Sequence, residues 1–293
     1  MAHQIYPAIA DGILDGGVYA LMAVGLTLIF GVLDIINVAQ GILVVIGGYL
    51  SYVLSVHLHI DLFLGLLITV PAMFVLGLAI HTLVIRPLRG PERTSMSLLA
   101  CFAVAIIAEG TLYWIFGPNV VTLTASYVRA SVKVAGFYIS DIYLYCFALA
   151  VVAVAAIYLL LYRTRFGRAV RATMQDATAA RLVGIDVNRV AALTFGIGVA
   201  VTAAGGMAYG ATSGGFSPNS GYDLISRLLA IIILGGLGSI GGALAAAVFM
   251  ITVESVVDIW SPNWAVAVFY AALVIVLTVR PAGLFGRRAV RAQ

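Results

Sequence analysis

Charged side chains are scarce in this chain of 293 residues. Asp, Glu, Lys and Arg make up 10% of the sequence, whereas about a quarter of a soluble domain is charged. Hydrophobic residues make up 63%, and the mean hydropathy is +1.11. The length alone would allow one or two soluble domains, but this composition excludes them.

Lysine is almost absent, and so are the motifs of common enzymes. The only lysine is Lys133, and no glycine-rich loop precedes it. A Walker A loop, G-x-x-x-x-G-K-[ST], therefore cannot exist in the chain. No G-x-S-x-G elbow occurs, and the four histidines form no metal-ligand pattern with Cys or carboxylates. We therefore expect no enzymatic activity, no metal and no cofactor on this chain.

Cysteine is also rare. Cys101 and Cys146 both lie inside apolar runs, which favours packing residues over a disulfide or a metal site. The formal charge of +4 comes from Arg in loops, without aromatic residues interleaved, so nucleic acid is not an expected partner. The N-terminus lacks the basic region and cleavage site of a signal peptide, so we expect the first hydrophobic span to be retained.

Long apolar runs dominate what is present. One example is "LYCFALAVVAVAAIYLLLY", whose continuity is typical of a membrane helix and not of a membrane β-barrel. The predicted fold class is all-α, a polytopic transmembrane helical bundle in a single domain, 1–293. Spans are predicted at 13–32, 41–57, 62–85, 96–116, 140–162, 190–212, 224–237, 242–258 and 264–280. Broken or re-entrant helices are expected near 33–41 and 235–242, so the predicted count is eight or nine.

Arginine is concentrated in three regions, namely 86–93, 163–189 and 280–291. The positive-inside rule places these regions in the cytoplasm and the Arg-poor loop 117–139, with Arg129 and Lys133, outside. Nine spans then put the N-terminus outside, and eight spans put it inside.

Few ionisable residues lie inside the predicted spans, and among them are Glu109, Arg227, Glu254 and Asp258. Charge at membrane depth is costly and indicates a pathway or a buried pair. Both interpretations stay open, together with a position near the outer interface. The carboxylates do not form the stacked series that a proton relay needs.

The segment 165–189 is basic and Ala-rich between apolar spans. We expect Gly167 to break the chain after the fifth span. Asp176 can N-cap a short helix, "ATAARLV", and Gly184 can end it in a left-handed conformation. Such a helix can lie on the membrane surface or can serve as a docking site for a soluble partner. A rigid docking site on a membrane protein without an ATPase site favours a permease driven by a separate ATPase.

Four stretches resemble permease subunits of the branched-chain amino acid ABC importers, of the high-affinity leucine uptake type. They are "GGVYALMAVGLTLIFGVLDIINVAQG", "GRAVRATMQDATAARLVGIDVNRVAALTF", "ILGGLGSIGGALAAAVFMITVES" and "RPAGLFG". The similarity covers nearly the whole chain. The second stretch together with "GGLGSIGG" is fairly specific to this family, whereas each alone would be weak.

The resemblance implies that 165–189 is a cytoplasmic coupling segment within a single permease domain. The general importer signature E-A-A-x-x-x-G reads here as Thr178, Ala179 and Ala180 followed by Gly184, so the Glu is missing. Which side chains contact the ATPase is therefore open. The ATPase-coupling candidates are Arg168, Arg171, Asp176, Ala179, Ala180, Arg181 and Gly184.

The resemblance further implies an assembly in the bacterial cytoplasmic (inner) membrane. A second similar permease subunit would line one path with this chain. Two ATP-binding subunits would carry ATP and Mg, and an extracytoplasmic binding protein would deliver the substrate. The expected cargo is a branched-chain or related hydrophobic amino acid, with urea, short amides or aromatic acids as alternatives. A self-sufficient secondary transporter or channel and a membrane-embedded enzyme are the competing classes.

Candidates for the translocation path come from polar or small residues near the span breaks. Asn37 and Gln40 interrupt the apolar sequence between the first two spans, where they either line the path or shape a turn. Two tyrosines lie among small residues, where they reach the path or pack in the core. The path candidates are Asn37, Gln40, Tyr19, Tyr209, Gly235 and Gly236.

Overall fold

The computed structural model describes residues 2–88, 90, 93–123, 131–134, 137–280 and 283–285. These residues form a helical bundle, which confirms the predicted fold class. The helices are α1 (Ala2–Leu33), α2 (Gln40–His57), α3 (Leu62–Ile80), α4 (Arg93–Phe116), α5 (Asp141–Arg163), α6 (Arg165–Gln175), α7 (Ala177–Leu182), α8 (Val187–Thr212), α9 (Ser220–Gly235), α10 (Ile240–Asp258) and α11 (Pro262–Val279). The α3 helix continues into a π-helical turn, His81–Ile85.

Eight helices of the described residues are long and apolar enough to cross a membrane. The segment predicted as a span at 224–237 forms α9, which has 16 residues and is not among those eight helices. Its first turn lies against α2, where a Cβ on Gly221 would be 3.2 Å from Ile42 Cα. Breaks were predicted near 33–41 and 235–242, and the structure has non-helical backbone at 34–39 and 236–239.

The centre of the bundle is formed by α1, α2 and α8, with further buried side chains from α9 and α10. Glycines bring α1 against α10. A Cβ on Gly12 would lie 2.6 Å from Thr252 Cα, and one on Gly16 would lie 2.7 Å from Val248 Cα. Without a hydrophobic driving force inside lipid, close backbone packing of this kind stabilises helix association.

The two ends of α1 lie at opposite ends of the bundle. Near its start, Gly12 packs beside Ser255, close to the end of α10, and its last turn at Gly31 contacts Met174 of α6. If α6 and α7 face the cytoplasm, as the arginine distribution predicts, α1 starts outside. This arrangement corresponds to nine passes with α9 as the short return segment.

A short hairpin lies within the loop predicted at 117–139. Strand β1 (Ser131–Val134) pairs antiparallel with β2 (Phe137–Ser140), with Val132 opposite Ile139. The sequence analysis did not predict it. Several arginines that set the predicted orientation lie outside the described residues: Arg89, Arg129, Arg287, Arg288 and Arg291.

Candidate functional site: the coupling segment and a membrane groove

The predicted coupling segment, 165–189, follows directly after Thr164. The prediction that the helix breaks at Gly167 is wrong. Thr164 has extended backbone, and its hydroxyl accepts a hydrogen bond of 3.0 Å from the Gly167 amide, which caps α6. Gly167 lies inside α6, where a Cβ would collide with the carbonyl oxygens of Leu160 and Leu161. The glycine is therefore needed for close approach of α6 to α5, and the threonine makes the turn.

The short helix α7 has the caps that the sequence predicts. The Asp176 carboxylate accepts hydrogen bonds from the amides of Thr178 (2.7 Å) and Ala179 (3.0 Å). At the other end Gly184 has φ +84°, and the Ile185 amide donates to the Ala180 carbonyl at 3.0 Å. Because the caps at Asp176 and Gly184 fix both ends of this six-residue helix, α7 forms a rigid projection.

The predicted coupling residues differ in exposure. Five of them are exposed, on α6, on α7 or at the two ends of α7: Arg168, Asp176, Ala179, Arg181 and Gly184. Ala180 is the buried residue of α7.

Arg171 is half-buried and is committed to the end of α5. Its Nη1 donates to the Leu161 carbonyl at 2.5 Å, and its guanidinium lies 4.8 Å from the centre of the Tyr162 ring. A charge-assisted hydrogen bond together with a cation–π contact holds α6 against α5. Arg171 therefore fixes the segment in place.

Two residues that the sequence analysis missed form the tip of the segment. Leu182 is 85% exposed and Val183 is 76% exposed. Leu182 ends α7, Val183 follows it before the left-handed Gly184, and Arg181 precedes them. The sequence does contain a signal for this exposed tip, because two large apolar residues stand next to a C-cap glycine in an otherwise polar segment. An exposed apolar tip with a basic rim is typical of a protein-binding surface.

A groove of about 2150 Å³ runs along one side of the bundle between α1, α5 and α10. Its membrane part is lined by small or apolar residues, among them Gly17, Ala20, Val151, Leu244 and Val248. Its mouth at the coupling-segment end is lined by polar residues, namely Asp34, His81, Arg86, Arg171, Asp176, Arg181, Asn188 and Ser239. The coupling segment therefore forms part of the wall of this mouth.

Asn37 and Gln40 are placed together, away from the groove. Both side chains are fully buried, and Asn37 Nδ2 donates to Gln40 Oε1 at 2.9 Å. Gln40 Nε2 lies 3.4 Å from the Gly198 carbonyl of α8. The pair shapes the non-helical connection before α2 and ties it to α8.

The other four path candidates also lie outside the residues that line the groove. The rings of Tyr19 and Tyr209 meet edge-on with centres 6.3 Å apart. Gly235 ends α9 against the backbone of Gly242, and Gly236 follows with φ +96°. A path role for the six residues stays a prediction.

One pair of the ionisable span residues is joined by the fold. Arg227 Nη1 lies 2.5 Å from Glu254 Oε2, and the two side chains are 22% and 14% exposed. The Arg227 guanidinium also lies 5.5 Å from the centre of the Phe269 ring. The two residues therefore form a half-buried ion pair, which ties α9 to α10 and α11. Asp258 is exposed, and Glu109 lines a small cavity together with Tyr222.

Comparison with known proteins places these features in a family. The profile of the family described as branched-chain amino acid transport system / permease component matches residues 8–277. The chain is 28% identical over 294 residues to the permease protein BraD of the high-affinity branched-chain amino acid transport system of Pseudomonas aeruginosa, covering 95% of each chain. It is 29% identical over 293 residues to the corresponding permease protein LivH of Salmonella typhimurium, covering 94% of each chain.

A second type of permease from such a system is also similar. The permease protein LivM of Salmonella typhimurium is 29% identical over 145 residues, which cover 49% of this chain and 34% of that protein. No solved structure matches the chain. With a profile match over most of its length and eight helices able to cross a membrane, this chain is a multi-pass membrane protein that belongs to the family of permease components of branched-chain amino acid transport systems.

Proposed function

We propose that the chain is the permease subunit of an ATP-driven (ABC) importer in the bacterial cytoplasmic membrane. Its cargo is a branched-chain or related hydrophobic amino acid that a separate extracytoplasmic binding protein delivers. The observation that carries the proposal is the rigid α6–α7 projection at the mouth of an apolar groove. The names of the relatives BraD and LivH support the cargo class.

The energy source must lie on another chain, because a Walker A loop cannot form here. The apolar tip, Leu182 and Val183, fits a cleft on an ATP-binding subunit that carries ATP and Mg. The basic residues beside the tip fit acidic side chains on the rim of that cleft. Two such ATPase subunits are needed, since each permease subunit presents one coupling segment.

The groove supplies half of the path. Several of its lining residues, such as Val151 and Leu159, are also exposed on the surface of this chain, so a second permease subunit would close the groove. The similarity to LivM supports a related but distinct partner. The lining residues named for its membrane part are uncharged, so a hydrophobic side chain is accommodated without a fixed ionic partner. The permease then binds its cargo weakly, and selection is made by the binding protein.

ATP binding would shift the assembly between two packed states. Closure of the ATPase pair moves the two coupling segments, and the transmembrane helices tilt from inward-open to outward-open. ATP drives this shift only because it binds one state more tightly than the other.

The test begins with the complete complex reconstituted in vesicles with the binding protein. ATP-dependent uptake of labelled leucine is expected, with competition by isoleucine and valine. Stronger competition by urea, short amides or aromatic acids would replace the proposed cargo. Uptake by this chain alone, without ATPase subunits, would contradict the importer proposal and support a secondary transporter or channel.

A tip variant tests the docking surface. Leu182→Asp/Val183→Asp places two charges on the tip and should abolish recovery of ATPase subunits with the tagged chain. The matched control, Leu182→Met/Val183→Ile, keeps the tip apolar and should retain the complex. Equal recovery of ATPase subunits with both variants would refute the assignment of the tip.

A further inference from the structure

Three backbone segments meet at the coupling-segment end of the groove. Gly31 lies in the last turn of α1, Met174 in the last turn of α6, and Gly238 in the break between α9 and α10. A Cβ on Gly31 would collide with the Met174 methyl group and would lie 3.8 Å from Gly238 Cα. All three residues line the groove. We call this contact the Met174 junction.

The junction connects the coupling segment to two helices that line the groove. From Gly31, α1 leads back to Gly17 and Ala20, which line the membrane part. From Gly238 the chain enters α10, which packs against α1 and contributes Leu244 and Val248 to the lining of the same groove. A displacement at the junction therefore acts on both helices at once.

The apolar face of α6 packs into the interior of the bundle. Val170 is fully buried in a cluster with Val24 and Leu28 of α1, and Met174 and Ile240 pack against the same cluster. Protein interiors have low compressibility and transmit displacement. A displacement of α6 is therefore transmitted to α1 and, through the shared cluster, to Ile240 at the start of α10.

The other side of the break is anchored separately. The Leu284 amide donates to the Leu234 carbonyl at 2.7 Å, and the Phe285 amide donates to the Gly235 carbonyl at 3.2 Å. These bonds hold the end of α9 to the segment after α11. The two glycines Gly236 and Gly238, with φ of +96° and +80°, separate this anchored end from α10. Gly236 and Gly238 are the positions at which the backbone between α9 and α10 changes conformation at the lowest steric cost.

We propose that Met174 is the positioning residue that transmits movement of the coupling segment to α1 and α10, and thereby opens or narrows the groove. The inference rests on the proposed function, since it needs an ATPase that moves α6. It adds the route by which movement of α6 reaches the translocation path, namely the contact of the Met174 side chain with Gly31.

The experiment compares variants of the reconstituted complex, with ATP hydrolysis and leucine uptake measured on the same vesicles. Met174→Ala removes the contact but leaves the exposed tip of α7 unchanged. ATPase subunits should still assemble and hydrolyse ATP, while uptake per ATP falls by roughly fivefold or more, the usual range of an allosteric coupling. Met174→Leu fills the same volume and should keep most of the coupling. Arg165→Ala, at an exposed position of the same helix, is the control.

A double variant distinguishes transmission from simple loss of packing. Gly31→Ala alone pushes the Met174 methyl group aside and should also lower uptake per ATP. In Gly31→Ala/Met174→Ala the new methyl group occupies the space that the methionine leaves, so uptake per ATP should exceed that of Met174→Ala. Met174→Ala with the parent's uptake per ATP, or additive losses in the double variant, would overturn the inference. Absence of ATP-driven uptake in the parent complex would instead refute the proposed function.

Discussion

Glu254→Gln removes one charge of the ion pair with Arg227 while the side-chain volume stays the same. Removing one partner of a buried pair costs about 3–5 kcal/mol, because the remaining charge is left without compensation. Here the two side chains are 22% and 14% exposed, and the Phe269 ring faces the guanidinium, so both solvent and the ring reduce the loss. We expect a destabilisation of about 2–4 kcal/mol, which lowers Tm by roughly 5–10 °C.

The chain carries its own reporters for this measurement. Cys101 and Cys146 are free thiols and are buried, at 1% and 0% exposure, so a thiol-reactive fluorophore labels them on unfolding. Thermal ramps in detergent then give Tm for each variant. Arg227→Leu/Glu254→Leu removes both charges and should lie closer to the parent than Glu254→Gln does. If Glu254→Gln melts within about 1 °C of the parent, the pair contributes nothing to helix packing and the reasoning fails.

Three further predictions concern single positions. Gly235→Ala places a Cβ 2.5 Å from backbone atoms of α10 and should prevent folding, whereas Gly241→Ala, with nothing within 4 Å, should not. Gel filtration of the two variants shows whether a monodisperse peak survives. Asp176→Ala removes the α7 cap at about 1 kcal/mol. Hydrogen exchange at the two amides that donate to its carboxylate should quicken about fivefold, and unchanged exchange would disprove the cap. Gly184→Ala strains the backbone at φ +84° by roughly 1–2 kcal/mol, so recovery of ATPase subunits should fall, and full recovery would contradict a rigid tip.

The fold class followed from the sequence because lipid leaves few alternatives. Runs of about twenty apolar residues can only be helices there, since every backbone polar group must be paired internally. The caps of α7 were predictable for a similar reason. Asp176 and Gly184 act through their own backbone neighbours, so no distant contact is needed to see their effect.

What the sequence did not show are contacts that depend on how the helices pack. Gly167 reads as a helix break from local propensity, but tertiary approach to the Leu161 carbonyl places it inside α6. Asn37 and Gln40 are polar residues between spans, and nothing local shows that they bond to one another and to α8. The groove was also missed, because apolar residues that line a path have the same sequence signature as residues that face lipid.

The polar connection before α2 sets a condition on how this protein is made. Gln40 donates to the Gly198 carbonyl, a separation of 158 residues. At a synthesis rate of about 5–20 residues per second, α8 is translated roughly 8–30 s after α2. During that interval α1 and α2 are in the membrane without the helix that later packs against both. A polar pair with one partner missing is costly in hydrocarbon. The connection before α2 therefore reaches its final packing only after the second half of the protein has been made.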